Sequence, residues 1–342
     1  MNTVFFNEYI QTSPKFMTDF TPWTLFVDTG IISVLLLLGK LMRVKIRFIQ
    51  KLFIPPSLLA GFMGLALGPH GFGIIPLSTQ TGTYAGILIA FIFGALPLTS
   101  QKAAKGDADN IGSMWAYSQA GMLLQWAFGG LLGLIVLNRI WPLNPAFGIT
   151  MPSGYCGGHG TAAAIGQAFS QFGYDEILTL AMTAATFGIV AAVIIGLIII
   201  KWGTKKGHTS FLANYDDLPH ELQTGLLPGD KRESMGESSC SSISIDSLTF
   251  NLIIVTVIAL GGYCISKTVS HFMPGFELPV FSCAFVVGMF IKKIFDKTKT
   301  SDYLCPQTIG HISGTFTDFL VAFGIASIKI SVGIKIINAN TK

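Results

Sequence analysis

Apolar stretches of about 20 residues recur along this sequence, and they constrain its fold more than any other feature. A helix needs about 20 mostly apolar residues to cross the hydrocarbon core of a membrane. The chain has 342 residues, of which 51% are hydrophobic and 12% charged, and its basic residues stand beside the apolar stretches rather than in one patch. We therefore expect an all-α, polytopic membrane protein with no nucleic-acid partner.

The apolar stretches predict eight membrane crossings, at residues 23–41, 53–67, 84–98, 111–140, 177–202, 248–272, 278–295 and 316–330. The basic cluster from Lys40 to Lys51 favours a cytoplasmic loop after the first crossing, which places the N-terminus outside. The chain then divides into an extracellular segment 1–22, a first transmembrane repeat 23–202, a cytoplasmic linker 203–247, a partial second repeat 248–330 and a polar tail 331–342. The polar composition of the linker predicts that it is mobile.

Residues 145–172 lie between two apolar stretches but are unsuited to one continuous helix. Their centre, 151–165, reads MPSGYCGGHGTAAAI. Pro152 and the glycines interrupt the backbone ladder, and each freed N–H or C=O group is costly in hydrocarbon unless protein, water or a ligand satisfies it. We predict a re-entrant hairpin that returns as a helix beginning near Thr161 and aims its free amides at an anion. The alternative is an extracellular loop packed on the bundle.

An internal repeat is visible on the two sides of the linker. Residues 54–61, IPPSLLAG, resemble 278–284, LPVFSCA, and residues 88–94, LIAFIFG, resemble 319–324, FLVAFG. An odd number of crossings between the copies would invert the second against the first, and inverted repeats are typical of secondary transporters. The second copy is incomplete, because nothing after residue 330 corresponds to the hairpin and its flanking crossings.

Three motifs in order, GGHGTAAA at 157–164, FGY at 172–174 and AMTAATFG at 181–188, resemble the bacterial sodium/glutamate symporter family. The resemblance implies a sodium-coupled transporter that imports glutamate across the cytoplasmic (inner) membrane by alternating access. It further implies a homodimer in membrane lipid, with L-glutamate as substrate, sodium as the coupling ion and no cofactor. The hairpin itself supports only an anionic or zwitterionic small solute.

The family has a second glycine-rich hairpin whose counterpart is missing here, so we expect a C-terminally truncated form. The alternative is a non-transporting membrane subunit or remnant without a complete substrate site. A channel is a weaker hypothesis, since the sequence has no rings of charge or repeated pore motifs. The loops contain no nucleophile elbow, P-loop or nucleotide fingerprint, so we do not expect an enzyme.

The candidate substrate-binding residues cluster at the predicted turn: Ser153, Gly157, Gly158, His159, Gly160 and Thr161. The His159 imidazole is suited to donate a hydrogen bond to a substrate carboxylate, or to close the turn. Thr161 is suited to bind solute and to cap the returning helix. No second His, Cys or carboxylate stands at ligand spacing, so we predict no metal site.

Thr183, Thr186 and Gln119 are candidates for lining the cavity or binding sodium. The two threonines have the alternative of bonding back to their own helix, and Gln119, like Gln125, the alternative of a helix–helix hydrogen bond. The acidic residues Asp28, Glu277 and Asp318 lie near predicted span ends, where we expect solvated positions, and Lys329 is expected to reach an outer boundary.

Overall fold

The computed structural model describes residues 20–51, 54–100, 108–141, 143–170, 172–174, 176–208, 221, 224–232, 234–241, 243–273 and 278–328. Within these ranges it leaves undescribed the side chains at 108, 159, 160, 163, 164, 167, 170, 189, 190, 193, 194, 197, 200, 201, 204 and 205. Every regular element in this described part is helical. The helices are α1 Pro22–Lys45, α2 Arg47–Lys51, α3 Pro56–Leu67, α4 Thr81–Thr99, α5 Ala108–Leu131, α6 Phe147–Ser170, α7 Glu176–Lys205, α8 Ser247–Phe272, α9 Val280–Thr298 and α10 Pro306–Ala326.

Local sequence signals explain where several of these helices begin and end. The Thr21 side chain accepts a hydrogen bond from the Thr24 amide and completes a capping box at the start of α1. Asp246 accepts hydrogen bonds from the amides of Leu248 and Thr249 at the start of α8. The helix α5 continues through a π-helical segment, Leu132–Leu137, into Asn138–Ile140, which gives one helical run after residue 108.

Five helices in the described residues are long and apolar enough to cross a membrane: Pro22–Lys45, Thr81–Thr99, Asp109–Ile140, Ser247–Phe272 and Pro306–Ala326. The all-α membrane architecture is thus confirmed. Each of the eight predicted crossings overlaps one helix, although the last helix begins at Pro306 and not at Phe316. The sides of the membrane and the division into domains stay predictions.

Six helices of the bundle form two triplets, α1, α3, α4 and α8, α9, α10. In one triplet α1 packs on α3, and in the other α8 packs on α9. Between the triplets, α3 packs on α10 and α9 packs on α4, while α4 and α10 lie against each other at the centre. These contacts correspond when the triplets are exchanged, which agrees with the internal repeat; their inversion stays a prediction.

The described residues of the linker pack on the helix ends that carry the basic residues. Lys40 Nζ donates to the carbonyl of Gly225 at 2.7 Å, and Thr308 Oγ1 donates to the carbonyl of Met235 at 3.4 Å. These contacts join the linker to the end of α1 and to the start of α10. These segments thus have hydrogen-bond partners on the bundle, and the mobility of the linker stays a prediction.

Candidate functional site

The helix α6 is broken at Gly158, in the middle of the glycine-rich stretch. Gly158 has φ 62° and ψ −159°, inside a helix whose other described residues are helical. This region of backbone space is essentially open to glycine alone. A Cβ built on Gly158 would meet no heavy atom within 4 Å, so the backbone angle, and not crowding, requires glycine. The break divides α6 into an entering half, 147–157, and a returning half, 159–170.

The chain reverses direction at this break. At the entrance, Asn144 Nδ2 donates to Glu176 Oε1 at 2.9 Å, beside the start of α7. Near the exit, Gly166 lies against Leu178, again at the start of α7. A straight helix of the length of α6 would span about 36 Å and would separate these two contacts widely. The region 145–172 therefore forms a helical hairpin with its tip at Gly158; its depth in a membrane stays a prediction.

The entering half of the hairpin is held by close contacts between small residues. Gly154 lies against the backbone of Ala181 and Ala184 in α7, and Gly148 lies against Gly129 in α5. Pro152 is fully buried and packs on α5 instead of breaking the helix. Pro152 removes one backbone hydrogen bond from the ladder, because proline lacks an N–H group, but the reversal itself occurs six residues later, at Gly158.

The hydroxyl-bearing candidates of the hairpin lie on either side of its tip. Ser153 is fully buried, and its Oγ donates to the Thr150 carbonyl at 2.7 Å. The Thr161 side chain lies against Gly157 and is half-buried, while Gly157 itself is exposed. The backbone of His159 and Gly160 begins the returning half, and the His159 side chain lies outside the described residues. The tip thus combines one exposed glycine, one half-buried hydroxyl and the open start of a helix.

The threonine candidates of α7 bond to their own helix. Thr183 Oγ1 donates to the Thr179 carbonyl at 2.7 Å, and Thr186 Oγ1 donates to the Met182 carbonyl at 3.2 Å. The Thr183 hydroxyl oxygen keeps lone pairs that are able to accept from a donor or to coordinate a cation. Their neighbour Gly188 lies beside the Tyr155 ring, one turn from the hairpin tip. These two threonines therefore lie in the helix that packs on the hairpin, with local bonds already made.

The two glutamines of α5 have different positions. Gln125 Oε1 accepts a hydrogen bond from Cys156 Sγ at 2.9 Å, next to the hairpin tip. Gln119 is half-buried and lies nearly two turns before Gln125 in the same helix. The two glutamines are equally polar in the sequence, and the packing of α5 on the hairpin, as at Gly129 and Gly148, sets which one meets the hairpin. Gln125 and Cys156 are the site neighbours that sequence reasoning did not select.

A family comparison decides what kind of chain carries this hairpin. The sequence profile described as "Sodium/glutamate symporter" matches residues 26–337, which include the whole hairpin and both triplets except the first turn of α1. The chain belongs to the sodium/glutamate symporter family.

Two curated relatives are similar over a large part of this family member. The "Sodium/glutamate symporter" of Escherichia coli (strain K12) is 25% identical over 271 residues, and the protein of the same name from Shigella flexneri shows the same identity. The match covers 75% of this chain and 60% of each relative, so the chain matches less than two thirds of their length. No solved structure matches the chain.

The acidic residues of this family member depart from the expected solvated positions. Asp28 is fully buried: its Oδ1 accepts from the Ser78 amide at 3.0 Å, and its Oδ2 accepts from the Ser78 hydroxyl. The Tyr84 hydroxyl lies close to this pair and is buried without a hydrogen bond of standard geometry. The prediction of a solvated Asp28 is wrong, because Ser78 supplies two donors from the loop before α4.

Asp318 is exposed, as expected, but it lies well inside α10 and not at the start of a span. Glu277 and Lys329 lie outside the described residues. Among the described residues, no three His, Cys, Asp or Glu side chains are grouped closely enough to hold a metal ion.

Proposed function

We propose that this protein carries out sodium-coupled transport of glutamate across the bacterial inner membrane, with the hairpin tip as its solute-binding site. The observation that carries the proposal is the glycine-only break at Gly158, at the tip of a helical hairpin, in a member of this family. Broken helices with free backbone groups at membrane depth are where secondary transporters bind their solutes. The proposed substrate contacts are Ser153, Gly157, Gly158, His159, Gly160 and Thr161.

The reversal at Gly158 supports binding of an anion and a cation side by side. The entering half ends at the tip, so its last carbonyl groups have no partner within that helix. The returning half begins there, so its first amides are equally free and carry the positive end of the helix dipole. Carbonyl oxygens suit a sodium ion, and amides suit a carboxylate. One turn of backbone thus offers complementary groups for sodium and for glutamate.

This arrangement also gives a physical reason for coupling. A helix N-terminus carries only about half a positive charge, so it stabilises a carboxylate incompletely. A sodium ion bound to the adjacent carbonyls would supply the missing charge, and each solute would improve the binding of the other. In this proposal Thr183, Thr186 and Gln119 line the cavity behind the tip, and the inward sodium gradient drives uptake.

The proposed orientation follows from the basic residues. Lys40, Arg43 and Lys45 lie at the end of α1, and Lys292 near the end of α9 donates to Ser100 at the end of α4. Basic residues near helix ends favour the cytoplasmic side. The N-terminus would then lie outside, and the hairpin would enter the membrane from the outside. By family resemblance, the protein is proposed to work as a homodimer in membrane lipid.

Uptake of labelled glutamate into proteoliposomes under an inward sodium gradient tests the proposal. We expect sodium-dependent uptake, at least tenfold lower in His159→Ala and Gly158→Ala. The measurement is repeated on this chain extended by the C-terminal segment of the Escherichia coli relative, because the match covers only 60% of that relative. Sodium-dependent glutamate binding without uptake in either form would instead favour a non-transporting membrane subunit. Absence of both binding and uptake in both forms would refute the proposal.

A matched pair of threonines tests whether the hairpin region binds sodium. Thr183 Oγ1 donates to the Thr179 carbonyl at 2.7 Å, and Thr256 Oγ1 in α8 donates to the Leu252 carbonyl at 2.8 Å. Valine at either position removes the same local bond, but of the two only Thr183 belongs to a helix that packs on the hairpin. We expect Thr183→Val to raise the sodium concentration for half-maximal uptake severalfold and Thr256→Val to leave it unchanged. Equal effects would assign Thr183 a purely local role.

A further inference from the structure

The first half of α10 turns a polar face away from the bundle. The exposed residues of this face are Gln307, Gly310, His311, Gly314, Thr315 and Asp318. Their spacing of three to four residues places them in one stripe along the helix. The stripe begins at the first turn of α10 and ends with an ionisable carboxyl group more than halfway along the helix.

Such a stripe is not suited to contact with lipid. The helix α10 is among the helices long and apolar enough to cross a membrane. Ionisable side chains within membrane helices are costly in hydrocarbon, and they almost always face water or polar protein. Two ionisable residues, His311 and Asp318, lie on the same face two turns apart, so the surroundings of this face must be polar.

The stripe leads toward the hairpin tip. On the same side of α10, Val321 and Ile325 belong to the apolar cluster that also contains Ala162 of the hairpin and Leu58 of α3. Gly158 is about 6 Å from Ala162 along the returning half, and Asp318 is about 4.5 Å from Val321 along α10. The helix α4 ends beside Lys292, and α5 begins a few residues later, so α5 leads away from this basic end. The entering half of the hairpin runs back along α5, from Gly148 at Gly129 to Cys156 at Gln125, so its tip points toward the basic end. These steps place Gly158 and Asp318 at similar depth.

The helix α3 covers only the second half of α10 and leaves the polar stripe of the first half exposed. Gly61 and Gly64 of α3 lie against Ile325 and Ala326, so α3 covers the second half of α10. The start of α3 lies level with the end region of α1, where Arg43 Nη1 donates to the Ile54 carbonyl at 3.1 Å. Lys40 lies close enough to Asp318 for their charges to interact. The exposed part of α10 therefore lies beside the ends of α1 and α3, at the end of the bundle where the linker also contacts Lys40 and Thr308.

We propose that this polar face of α10 is one wall of a water-filled recess that connects the basic end of the bundle to the hairpin tip, with Asp318 as the residue that attracts a monovalent cation there. The cation is sodium if the proposed transport function holds; the presence of water in the recess does not depend on that function. A carboxylate at the depth of the hairpin tip would raise the local cation concentration beside the free carbonyls of the entering half.

Thiol accessibility tests the recess directly. Single cysteines replace Gly314, Thr315 or, as a control, Leu260, after Cys156, Cys240, Cys264, Cys283 and Cys305 have been changed to alanine. Leu260 is 59% exposed on α8, and the hydrogen bond from the Cys305 amide to Asn251 Oδ1 aligns α8 with α10 so that Leu260 and Gly314 lie at similar depth. The probe is a positively charged, membrane-impermeant methanethiosulfonate, applied to the protein in lipid nanodiscs.

We expect Gly314→Cys and Thr315→Cys to react at least tenfold faster than Leu260→Cys, because the reactive thiolate forms in water and not in lipid. A Cβ at Gly314 would meet no heavy atom within 4 Å, so the variant should fold, and Thr315→Cys provides a second exposed position. Equally slow thiol labelling at all three positions would overturn the proposal of a water-filled recess.

The role of Asp318 is tested in the same preparation. Sodium chloride, compared with choline chloride, should slow the reaction of Gly314→Cys severalfold, and Asp318→Asn should abolish that protection. Protection that persists in Asp318→Asn would overturn the assignment of Asp318. Fast labelling without any sodium effect would support the recess but reject the cation role of Asp318, and it would count against sodium as the transported ion. Failure of glutamate uptake alone would affect only the proposed function.

Discussion

Glycine has opposite roles in the two triplets and at the tip of the hairpin. In the triplets, Gly262 of α8 lies against the backbone of Ala284 in α9 and keeps regular helical angles, so its small size lets two continuous helices approach. In the hairpin, Gly158 has open space around it and a backbone angle that other residues rarely adopt. The first glycine stabilises the scaffold, whereas the second ends one helix and begins another. Substitutions should therefore separate stability from binding.

The largest loss of stability is expected for Gly262→Ala. A Cβ at this position would lie 2.5 Å from the Ala284 nitrogen and 2.6 Å from its Cα, and backbone atoms cannot move aside cheaply. We expect the free energy of unfolding to fall by about 3 kcal/mol, the upper part of the range for overpacking. Thermal unfolding in detergent measures the change. Gly314→Ala, at an open position of α10, should be neutral or stabilising by up to about 1 kcal/mol, and equal losses in both variants would contradict the packing argument.

A smaller loss, also in the scaffold, is expected for Asp28→Asn. The Asp28 carboxylate accepts two hydrogen bonds from Ser78 and joins α1 to the loop before α4. Since asparagine replaces one acceptor oxygen by a donor, the variant should lose about 2 kcal/mol of unfolding free energy. A double-mutant cycle with Ser78→Ala in a detergent unfolding titration isolates the pair. Asp318→Asn, at an exposed position in the described structure, is the matched control; a comparable loss there would show that burial is not the cause.

Gly158→Ala should affect the hairpin and leave the triplets intact. The strained backbone would cost about 1–3 kcal/mol at one residue, which the chain should relieve by rearranging the tip. We expect hydrogen exchange of amides in 150–165 to accelerate, sodium-dependent glutamate binding to weaken more than tenfold, and the main thermal transition to shift little. Gly121→Ala in α5, which also has open space, serves as the control. A main transition lowered as much as in Gly262→Ala would mean that the hairpin belongs to the cooperative core.

The sequence predicted the parts of this molecule that depend on local composition. Crossing positions follow from apolar length, and the hairpin follows from glycines and polar residues between apolar stretches. The sequence did not predict the start of α10, because residues 307–317 are helical but too polar to be recognised as part of a crossing. The burial of Asp28 depends on Ser78, fifty residues away, and no local pattern reports such a pair. For the same reason the choice between Gln119 and Gln125 required the packing of α5 on the hairpin.

The smallest effect is expected where the hairpin meets α5. Cys156 Sγ donates to Gln125 Oε1, but a thiol is a weak donor and both residues are only half-buried, so Cys156→Ala should cost less than about 1 kcal/mol of unfolding free energy. Gln125→Ala should have an effect of similar size, and Gln119→Ala almost none. A double-mutant cycle of Cys156→Ala and Gln125→Ala, measured by thermal unfolding, gives the coupling free energy between the two side chains. If Gln125→Ala weakened glutamate binding while Cys156→Ala did not, the amide would have a role toward solute beyond this contact. Equal and small effects on stability, with binding unchanged, would instead place the Cys156–Gln125 pair with the scaffold and restrict the binding site to the backbone of the tip.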